Sequence, residues 1–350
     1  MTNLTKSLYI GIDTHKKDWT VTILTDVLEH KTFRQSPDPE QLVKYVCKNF
    51  PDYMVHCCYE AGFCGYWIYE SLLKAGFECT VVNPSDIPTT GKEIDQKTDP
   101  RDSRKIAIQL RSGILKGIYV PDKEQQEFRT LFRHRNNLTK DMRRIKSRIK
   151  GQLNFYGIKI PPQYDNKPNW SANFVAWLKT VLFSHELAKL TVDSLIRQLE
   201  FLRVELSQCE KQLRIYAKSR YQQEYELLMT IPGIGPIVAK ALLAEVGDIN
   251  RFKKLDQLCS YVGIIPSIYS SSDKKHVRGI TSRAKLLLRS YLIESAWVAT
   301  RKDPAMHDYY LKHYRNMKSN KIIIKVTRKL LSRMMAVLRD KKPYELRIAA

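Results

Sequence analysis

Tyr9-Ile10-Gly11-Ile12-Asp13-Thr14 is a short apolar run that ends in a carboxylate, and after a polar turn an alternating run follows from Trp19 to Leu24. The pattern predicts a hairpin of two strands, with Asp13 at the end of the first, buried strand. Gly11 has no side chain, so a neighbouring backbone or a ligand could approach this strand closely. A carboxylate at the rim of a buried strand suits a divalent cation. The alternative is an aspartate that only begins a turn.

Strands and helices alternate through the first third of the chain. The patterns predict a helix from Pro39 to Phe50, a strand from Tyr53 to Tyr59, a helix from Tyr66 to Lys74 and a strand from Cys79 to Val82. Such alternation is typical of an α/β domain in which helices cover a largely parallel sheet. Ligands of these sheets bind at the carboxyl ends of the strands, where Asp13 and Glu60 both lie.

A further acidic element is Asp99-Pro100-Arg101-Asp102, at the predicted start of a helix. Proline suits a first helical turn, and residues three apart share one side of a helix. In isolation, the motif is equally well explained by an N-cap aspartate and a first-turn aspartate that favours the helix dipole. Together with Asp13 and Glu60, it predicts a site for two Mg²⁺ or Mn²⁺ ions, which oxygen ligands favour over zinc and which can serve phosphodiester chemistry.

Composition favours a nucleic-acid partner. Lys and Arg number 59 against 36 for Asp and Glu, a formal charge of +23, and this excess indicates a polyanion, nucleic acid before a membrane surface. We find neither an apolar run long enough to cross a bilayer nor a signal-peptide h-region, so no membrane partner is expected. The seven cysteines include no Cys-x-x-Cys pair, which argues against a disulfide framework or a zinc site and favours a reducing cytoplasm.

Two long helical patterns occupy the middle of the chain. The first runs from Pro121 to Tyr156, and the second carries a heptad pattern from Leu195 to Tyr216. Together they predict an antiparallel helical hairpin or coiled coil that could serve self-association. The first helix carries the basic residues Arg143, Arg144, Lys146, Arg148 and Lys150. A charged stripe is usually a solvated face, but the excess of cations here favours contact with a phosphate backbone.

A glycine-rich turn in the last third suits phosphate binding. Ile231-Pro232-Gly233-Ile234-Gly235 has the form of a helix-hairpin-helix turn. The amides around Gly233 and Gly235 at a helix start could hold a phosphate without reading sequence. The alternative is a helical hairpin with a glycine turn and no ligand.

A polar loop is predicted from Tyr261 to Arg283. It holds three successive serines and several cations: Ser270, Ser271, Ser272, Lys274, Lys275, Arg278 and Arg283. A hydroxyl among cations could attack a phosphodiester while the cations stabilise the developing charge. Serine-rich loops without a catalytic role are, however, common.

Taken together, these motifs resemble the DEDD-type transposases of the one-ten/eleven-eleven insertion-sequence family, which are relatives of the Piv DNA invertases. The resemblance covers nearly the whole chain. Its motifs are Gly-Ile-Asp-Thr, Tyr-Glu-Ala-Gly, Lys-Thr-Asp-x-x-Asp, Ile-Pro-Gly-Ile-Gly, Gly-x-x-Pro-x-x-Tyr-x-Ser and Arg-Gly-Ile. It implies a RuvC-like, ribonuclease-H-like first domain with Asp13, Glu60, Asp99 and Asp102 as its acidic site.

The resemblance also implies a C-terminal transposase domain whose catalytic serine, two residues after Tyr269, is Ser271. This serine would link transiently to DNA during Mg²⁺-dependent strand exchange, with Mn²⁺ as a possible substitute. Many family members follow the serine with glycine, whereas Ser272 and Asp273 follow it here. Ser270 and Ser272 therefore stay as alternatives.

Partners and location follow from the same resemblance. It implies a recombinase of a bacterial mobile element, cytoplasmic and nucleoid-associated, which works as a homodimer or homotetramer. A structured non-coding RNA, the bridge RNA, would guide it to target and donor DNA. The expected domains are a RuvC-like domain at 1–118, a helical coiled coil at 119–222 and a mostly α-helical transposase domain at 223–350.

Two other functions fit the same residues. One is a RuvC-like, structure-specific DNA nuclease that uses metal-activated water, with the serine loop only binding phosphate. The other is a non-catalytic nucleic-acid-binding protein. Only the recombinase should become covalently attached to DNA. The recombinase and the nuclease should both cleave DNA in the presence of Mg²⁺, whereas the binding protein should not.

Overall fold

The structure is a computed structural model that describes residues 6–88, 98–164, 170–271 and 274–346, with the backbone alone for residues 268–271 and 274–278. The chain divides into two compact units, Met1–Val120 and Pro121–Ala350. All seven cysteines are free thiols, as the sequence predicted. Among the described residues, none of the helices has the length and apolar composition that crossing a membrane requires.

The first unit contains a five-stranded mixed sheet in the order β3-β2-β1-β4-β5. Its strands are β1 (Ser7–Thr14), β2 (Trp19–Thr25), β3 (Glu29–Gln35), β4 (Met54–Glu60) and β5 (Glu78–Val82). The predicted hairpin of β1 and β2 is confirmed. The prediction of a largely parallel sheet is wrong, because β2 pairs antiparallel with both β1 and β3, while β4 pairs parallel with β1 and β5. The polar strand β3 was missed because an edge strand needs few apolar residues.

Helices cover both faces of this sheet. They are α1 (Pro39–Asn49), α2 (Trp67–Lys74) and α3 (Asp99–Arg111). Ile10 and Ile12 of β1 are fully buried in a core that includes residues of α1 and α2. Gly11 faces the other side, where a Cβ would lie 2.1 Å from the carbonyl oxygen of Ser103 in α3. The close approach predicted at Gly11 is therefore confirmed, and the approaching backbone is that of α3.

The second unit begins with a helical hairpin. Its helices are α4 (Lys123–Phe155), the short α5 (Ala172–Thr180) and α6 (Glu186–Arg220). Glu124 of α4 pairs with Arg220 of α6, and Arg135 pairs with Glu210. Because residue numbers rise along one helix as they fall along the other, α4 and α6 run antiparallel, as predicted.

The remaining helices of the second unit share one large apolar core. They are α7 (Gln222–Met229), α8 (Pro236–Val246), α9 (Leu255–Val262), α10 (Leu286–Lys302), α11 (Pro304–Tyr314) and α12 (Ser319–Asp340). The segment predicted as a polar loop is instead a hairpin of β6 (Pro266–Ser271) and β7 (Lys274–Ile280). Ile268, Tyr269 and Val277 favour strands, but the surrounding serines and cations led to the wrong prediction.

Candidate active site

Asp13 and Glu60 lie at the carboxyl ends of two neighbouring parallel strands. Ile12 pairs with Tyr59 in the last register pair of β1 and β4, so the next residues, Asp13 and Glu60, lie side by side at one edge of the sheet. Side chains alternate between the faces of a strand. Ile12 and Tyr59 belong to the core on the α1 and α2 face, and both carboxylates therefore project to the α3 face.

Helix α3 brings its first turn to the same edge. The Ser103 hydroxyl lies 2.8 Å from the Thr22 hydroxyl in the middle of the sheet, which places Asp99, one turn earlier, near the strand ends. One ligand atom each from Asp13, His15 and Asp99 lies within 4.8 Å of the others. The fold thus brings together carboxylates that are 86 positions apart in the sequence.

The Asp99 carboxylate does not cap its helix. The N-cap residue of α3 is Thr98, while Asp99 accepts a hydrogen bond from the Arg34 guanidinium at 3.3 Å. Arg34 also lies 3.8 Å from Asp18. Asp99 is therefore a first-turn residue of α3 and not its N-cap, the alternative of a first-turn aspartate that favours the helix dipole stays open, and Arg34 of the edge strand contacts this carboxylate.

The pKa of Asp13 is raised, as is typical of a carboxylate that is partly buried beside other carboxylates. Burial raises the pKa of Asp13 above its ordinary value; His15 acts in the opposite direction, while the charges of Asp99 and Asp102 raise this pKa further. Asp102 thus lies within electrostatic range of Asp13. Like charges held this close are stabilised by a bound cation, so this part of the donor set fits a divalent metal.

His15 is the site residue that the sequence analysis missed. Its Nε2 lies 3.3 Å from Asp13 and 3.6 Å from Asp99. His15 can pair with the two carboxylates or offer a nitrogen to a metal ion, so the prediction of a site with oxygen ligands only stays a prediction. The available signal was a histidine two residues after the strand-end aspartate.

The serine segment lies in the second unit, whereas the four carboxylates lie in the first. In the β6–β7 register, Ser271 pairs with Lys274 and Ser270 pairs with Lys275. Each of these serines is therefore opposite a lysine of the next strand. Ser272 lies outside the described residues. The side chains of the other serines, of the two lysines and of Arg278 are not described, and Arg283 after the hairpin is exposed.

The base of this hairpin is held firmly. The Arg289 guanidinium of α10 donates to the carbonyl of Gly263 at 3.1 Å and to that of Thr281 at 2.8 Å. Gly263 has φ +85°, and a Cβ there would lie 2.1 Å from the Cβ of Ala284. Arg289 therefore joins the segments before β6 and after β7, which fixes where the serine hairpin leaves the helical core.

The two glycines of the predicted phosphate turn differ in their surroundings. Gly233 has φ +93°, and a Cβ there would lie 2.4 Å from the carbonyl oxygen of Ser295 in α10. Packing alone thus accounts for Gly233. At Gly235, a Cβ would meet no described atom within 4 Å, and the first amide bonded within α8 is that of Ala239, which donates to Gly235. A phosphate at the start of α8 stays a prediction.

The basic residues of α4 mostly face solvent. Arg143, Arg144, Arg148 and Lys150 are exposed, and Arg144 donates to Asp141 at 2.8 Å. The Lys146 ammonium lies 5.7 Å from the centre of the Trp170 ring. Burial lowers the pKa of Lys146, and the nearby cations Arg203 and Arg143 act in the same direction. Contact with DNA along this helix stays a prediction.

Two families of known proteins match the sequence. The family of DEDD transposases of IS110 elements, described as "Transposase", matches residues 10–158. The family described as "Transposase IS116/IS110/IS902 family" matches residues 225–311. The first match contains all four carboxylates of the candidate site, and the second contains the serine hairpin.

Curated relatives extend these matches. "Transposase for insertion sequence element IS1533" from Leptospira borgpetersenii is 27% identical over 306 residues, which cover 83% of this chain and 85% of that protein. The protein y4qE of Sinorhizobium fredii is 28% identical over 250 residues, which cover 69% of this chain but only 58% of that protein. The "Pilin gene-inverting protein" of Moraxella bovis is 33% identical over 125 residues, which cover 35% of this chain and 39% of that protein.

Proposed function

This chain belongs to the IS110/IS116 family of transposases, and we propose that it cuts and rejoins DNA strands through a phosphoserine link at Ser271, with a divalent metal at the acidic site. The observation that carries the metal half is the meeting of Asp13 and Asp99 beside His15 at the edge of the sheet. A mixed sheet with strand-end carboxylates also supports a ribonuclease-H-like first domain.

The serine supplies the covalent step. The Oγ of Ser271 attacks the phosphorus of the scissile phosphodiester, the bond from phosphorus to one sugar oxygen breaks, and that strand end leaves as a hydroxyl with the serine proton. A hydroxyl end of another strand then attacks the phosphoserine, which joins the strands and returns the proton to Ser271. Because each step exchanges one phosphate ester for another, strand exchange needs no external energy source. Support comes from the register, which sets Ser271 opposite Lys274.

The acidic site holds and orients the scissile phosphate. Asp13, Glu60, Asp99 and Asp102 would hold Mg²⁺ or Mn²⁺, which neutralises charge on a phosphate when bound. Arg34 contacts the Asp99 carboxylate, and the close packing of α3 on Gly11 positions the helix that carries it. Such positioning matters because a misplacement of about 1 Å at a reacting group can cost on the order of 100-fold in rate.

We further propose that copies of the chain associate through α6. Phe201 is 64% exposed and Val204 is 54% exposed, and Leu187 and Leu190 are exposed two heptads earlier. The heptad between these two pairs carries Ser194 and Arg197 at the same positions, so α6 presents two separate apolar patches, and exposed apolar patches are typical of contacts between protein chains. Dimers or tetramers built this way could place the serine of one copy beside the carboxylates of another.

Guidance by a bridge RNA belongs to the same proposal, and the exposed cations of α4 offer the RNA a phosphate-binding face.

The metal half of the proposal is tested by Mg²⁺-dependent cleavage of duplex DNA that carries the sequences flanking the gene. Asp102→Asn should abolish cleavage and retain DNA binding, while Asp52→Asn, an exposed residue of the same unit, should cleave normally. Cleavage by Asp102→Asn at the wild-type rate would contradict the metal half.

A further inference from the structure

Helices α10 and α11 border an open groove of about 490 Å³, and no residue of the serine hairpin or of the acidic site is among the described residues that line it. Its lining includes Glu294, Trp297, Arg301, His307, Tyr310 and Leu311. The function proposed above uses none of these residues. The lining combines two aromatic rings with an arginine, a histidine and a glutamate, so rings and charges together define the ligand chemistry that the groove suits.

The walls of the groove are fixed by a buried aspartate between the two helices. Asp303 is the N-cap residue of α11, and its carboxylate accepts from the Ala305 amide at 3.0 Å. The same carboxylate binds the Arg333 guanidinium of α12 and accepts from the Tyr344 hydroxyl at 2.8 Å. The backbone of the groove is therefore preformed, which lowers the entropy cost of ligand binding to that of ordering the exposed side chains of its lining.

Two aromatic rings of the lining, Trp297 and Tyr310, continue into a row with Tyr314 beyond the groove. The ring centres of Trp297 and Tyr310 are 5.8 Å apart, and those of Tyr310 and Tyr314 are 6.0 Å apart. Tyr314 is 59% exposed and Leu311 is 49% exposed. Rings in such a row at a protein surface offer flat apolar contact to a planar ligand.

Charge decides which planar ligand fits. Arg301 and His307 line the groove, and the exposed Lys302, Lys312 and Arg315 lie on the same two helices or directly after them. The acidic groups on these helices are Asp308 and Glu294, the latter beside Arg301 in the lining, so the excess of cations lies around the groove and not in its lining. This excess disfavours a quaternary ammonium ligand, which aromatic cages otherwise bind, and favours an aromatic anion.

We propose that this groove binds unpaired nucleotides of single-stranded DNA. The planes of Trp297 and Tyr310 meet at 57°, so a base stacks on one of these two rings, and Arg301 contacts the adjoining phosphate. A duplex cannot use the groove, because its bases already stack on one another, whereas strand exchange by a transposase leaves bases unpaired. The inference concerns a site beyond the chemistry proposed above and does not depend on Ser271 or on the metal.

Fluorescence anisotropy of labelled oligodeoxythymidylate with the full chain, in EDTA, tests the proposal. Trp297→Leu and Tyr310→Leu keep apolar bulk but remove the rings, and each should weaken single-strand binding by about tenfold, within the range for loss of one stacked base. Binding of a duplex of equal length should hardly change. Tyr309→Leu is the matched control, since Tyr309 lies under the Lys329 ammonium at 4.2 Å and does not line the groove.

Arg301→Gln should weaken single-strand binding and reduce its salt slope by about 0.7, the value for loss of one phosphate contact to a single strand. Photocrosslinking of bromodeoxyuridine DNA to the wild-type chain should label Trp297 or Tyr310, a result that does not depend on variants folding. Equal losses for duplex and single strand, or crosslinks elsewhere only, would overturn the proposal. Groove-dependent preference for oligouridylate would overturn the assignment to DNA. Because EDTA removes metal, a failure of strand cleavage leaves these outcomes unchanged.

Discussion

Gly11→Ala is the substitution that most directly couples the fold to the candidate metal site. An added Cβ would lie 2.1 Å from the Ser103 carbonyl oxygen and 2.5 Å from the Ala107 amide nitrogen. Both contacts are with backbone, so no flexible side chain can move aside. Cβ atoms in proteins essentially never lie closer than 3.0 Å to another atom. Helix α3 would therefore have to move about 1 Å away from β1 to lengthen the distance between the new Cβ and the Ser103 oxygen to this limit. Asp99 and Asp102 belong to this helix and would move away from Asp13 with it.

The expected cost lies near the upper end of that for overpacking a core, about 3 kcal/mol. Hydrogen exchange of the amides of β1 and α3 in the full chain measures this loss of stability. The slowest of these amides should exchange on the order of 100-fold faster in Gly11→Ala than in the wild type. Mn²⁺ binding, followed by the electron paramagnetic resonance of free Mn²⁺, should weaken in parallel. Gly62→Ala is the control, because its Cβ would meet nothing nearer than 3.9 Å. Wild-type protection and Mn²⁺ affinity in Gly11→Ala would refute this reasoning.

Three other perturbations give distinct outcomes. Glu245→Gln removes a buried carboxylate that lies 2.7 Å from Arg133, and thermal unfolding should show a loss of about 3 kcal/mol in the free energy of unfolding. The control Glu200→Gln at the surface should cost under about 1 kcal/mol. Equal losses would argue against a stabilising role of the buried pair of Glu245 and Arg133. Mn²⁺ at about 100 times its Kd should add about 2.7 kcal/mol to the free energy of unfolding. Asp99→Asn should abolish this gain. The same stabilisation by Mn²⁺ in Asp99→Asn would mean that the metal binds elsewhere. Phe201→Asp should shift sedimentation toward smaller species without lowering Tm, and unchanged sedimentation would exclude this face of α6 as the contact.

Local patterns were sufficient to predict much of the architecture. The apolar run before Asp13, the strand before Glu60 and the helix start at Asp99 each carry their own signal, because burial imposes a period of two or of 3.6 on the sequence. The same periodicity predicted the antiparallel pair α4 and α6. The parallel register of β1 and β4 then follows from the order of strands and helices.

Other features depend on contacts between distant segments. Arg34 reaches Asp99 across 65 positions, and nothing in the polar sequence of β3 indicates this partner. The role of Gly233 depends on Ser295 of α10, so a glycine that suggested phosphate binding is equally a packing residue. His15 lies only two residues after Asp13 in the sequence, yet only the fold brings it to Asp99.

A denaturing gel of the chain with Mg²⁺, RNA transcribed from the flanks of its gene, and labelled duplex DNA carrying the same flanks tests the central claim most directly. Wild type, Ser271→Ala and the neighbouring variant Ser270→Ala run side by side. The phosphoserine proposal predicts a protein–DNA band that resists denaturation in wild type and Ser270→Ala and is missing in Ser271→Ala. Cleaved DNA without any covalent band would contradict it and favour a nuclease that uses water, and a covalent band in Ser271→Ala would move the nucleophile to another residue.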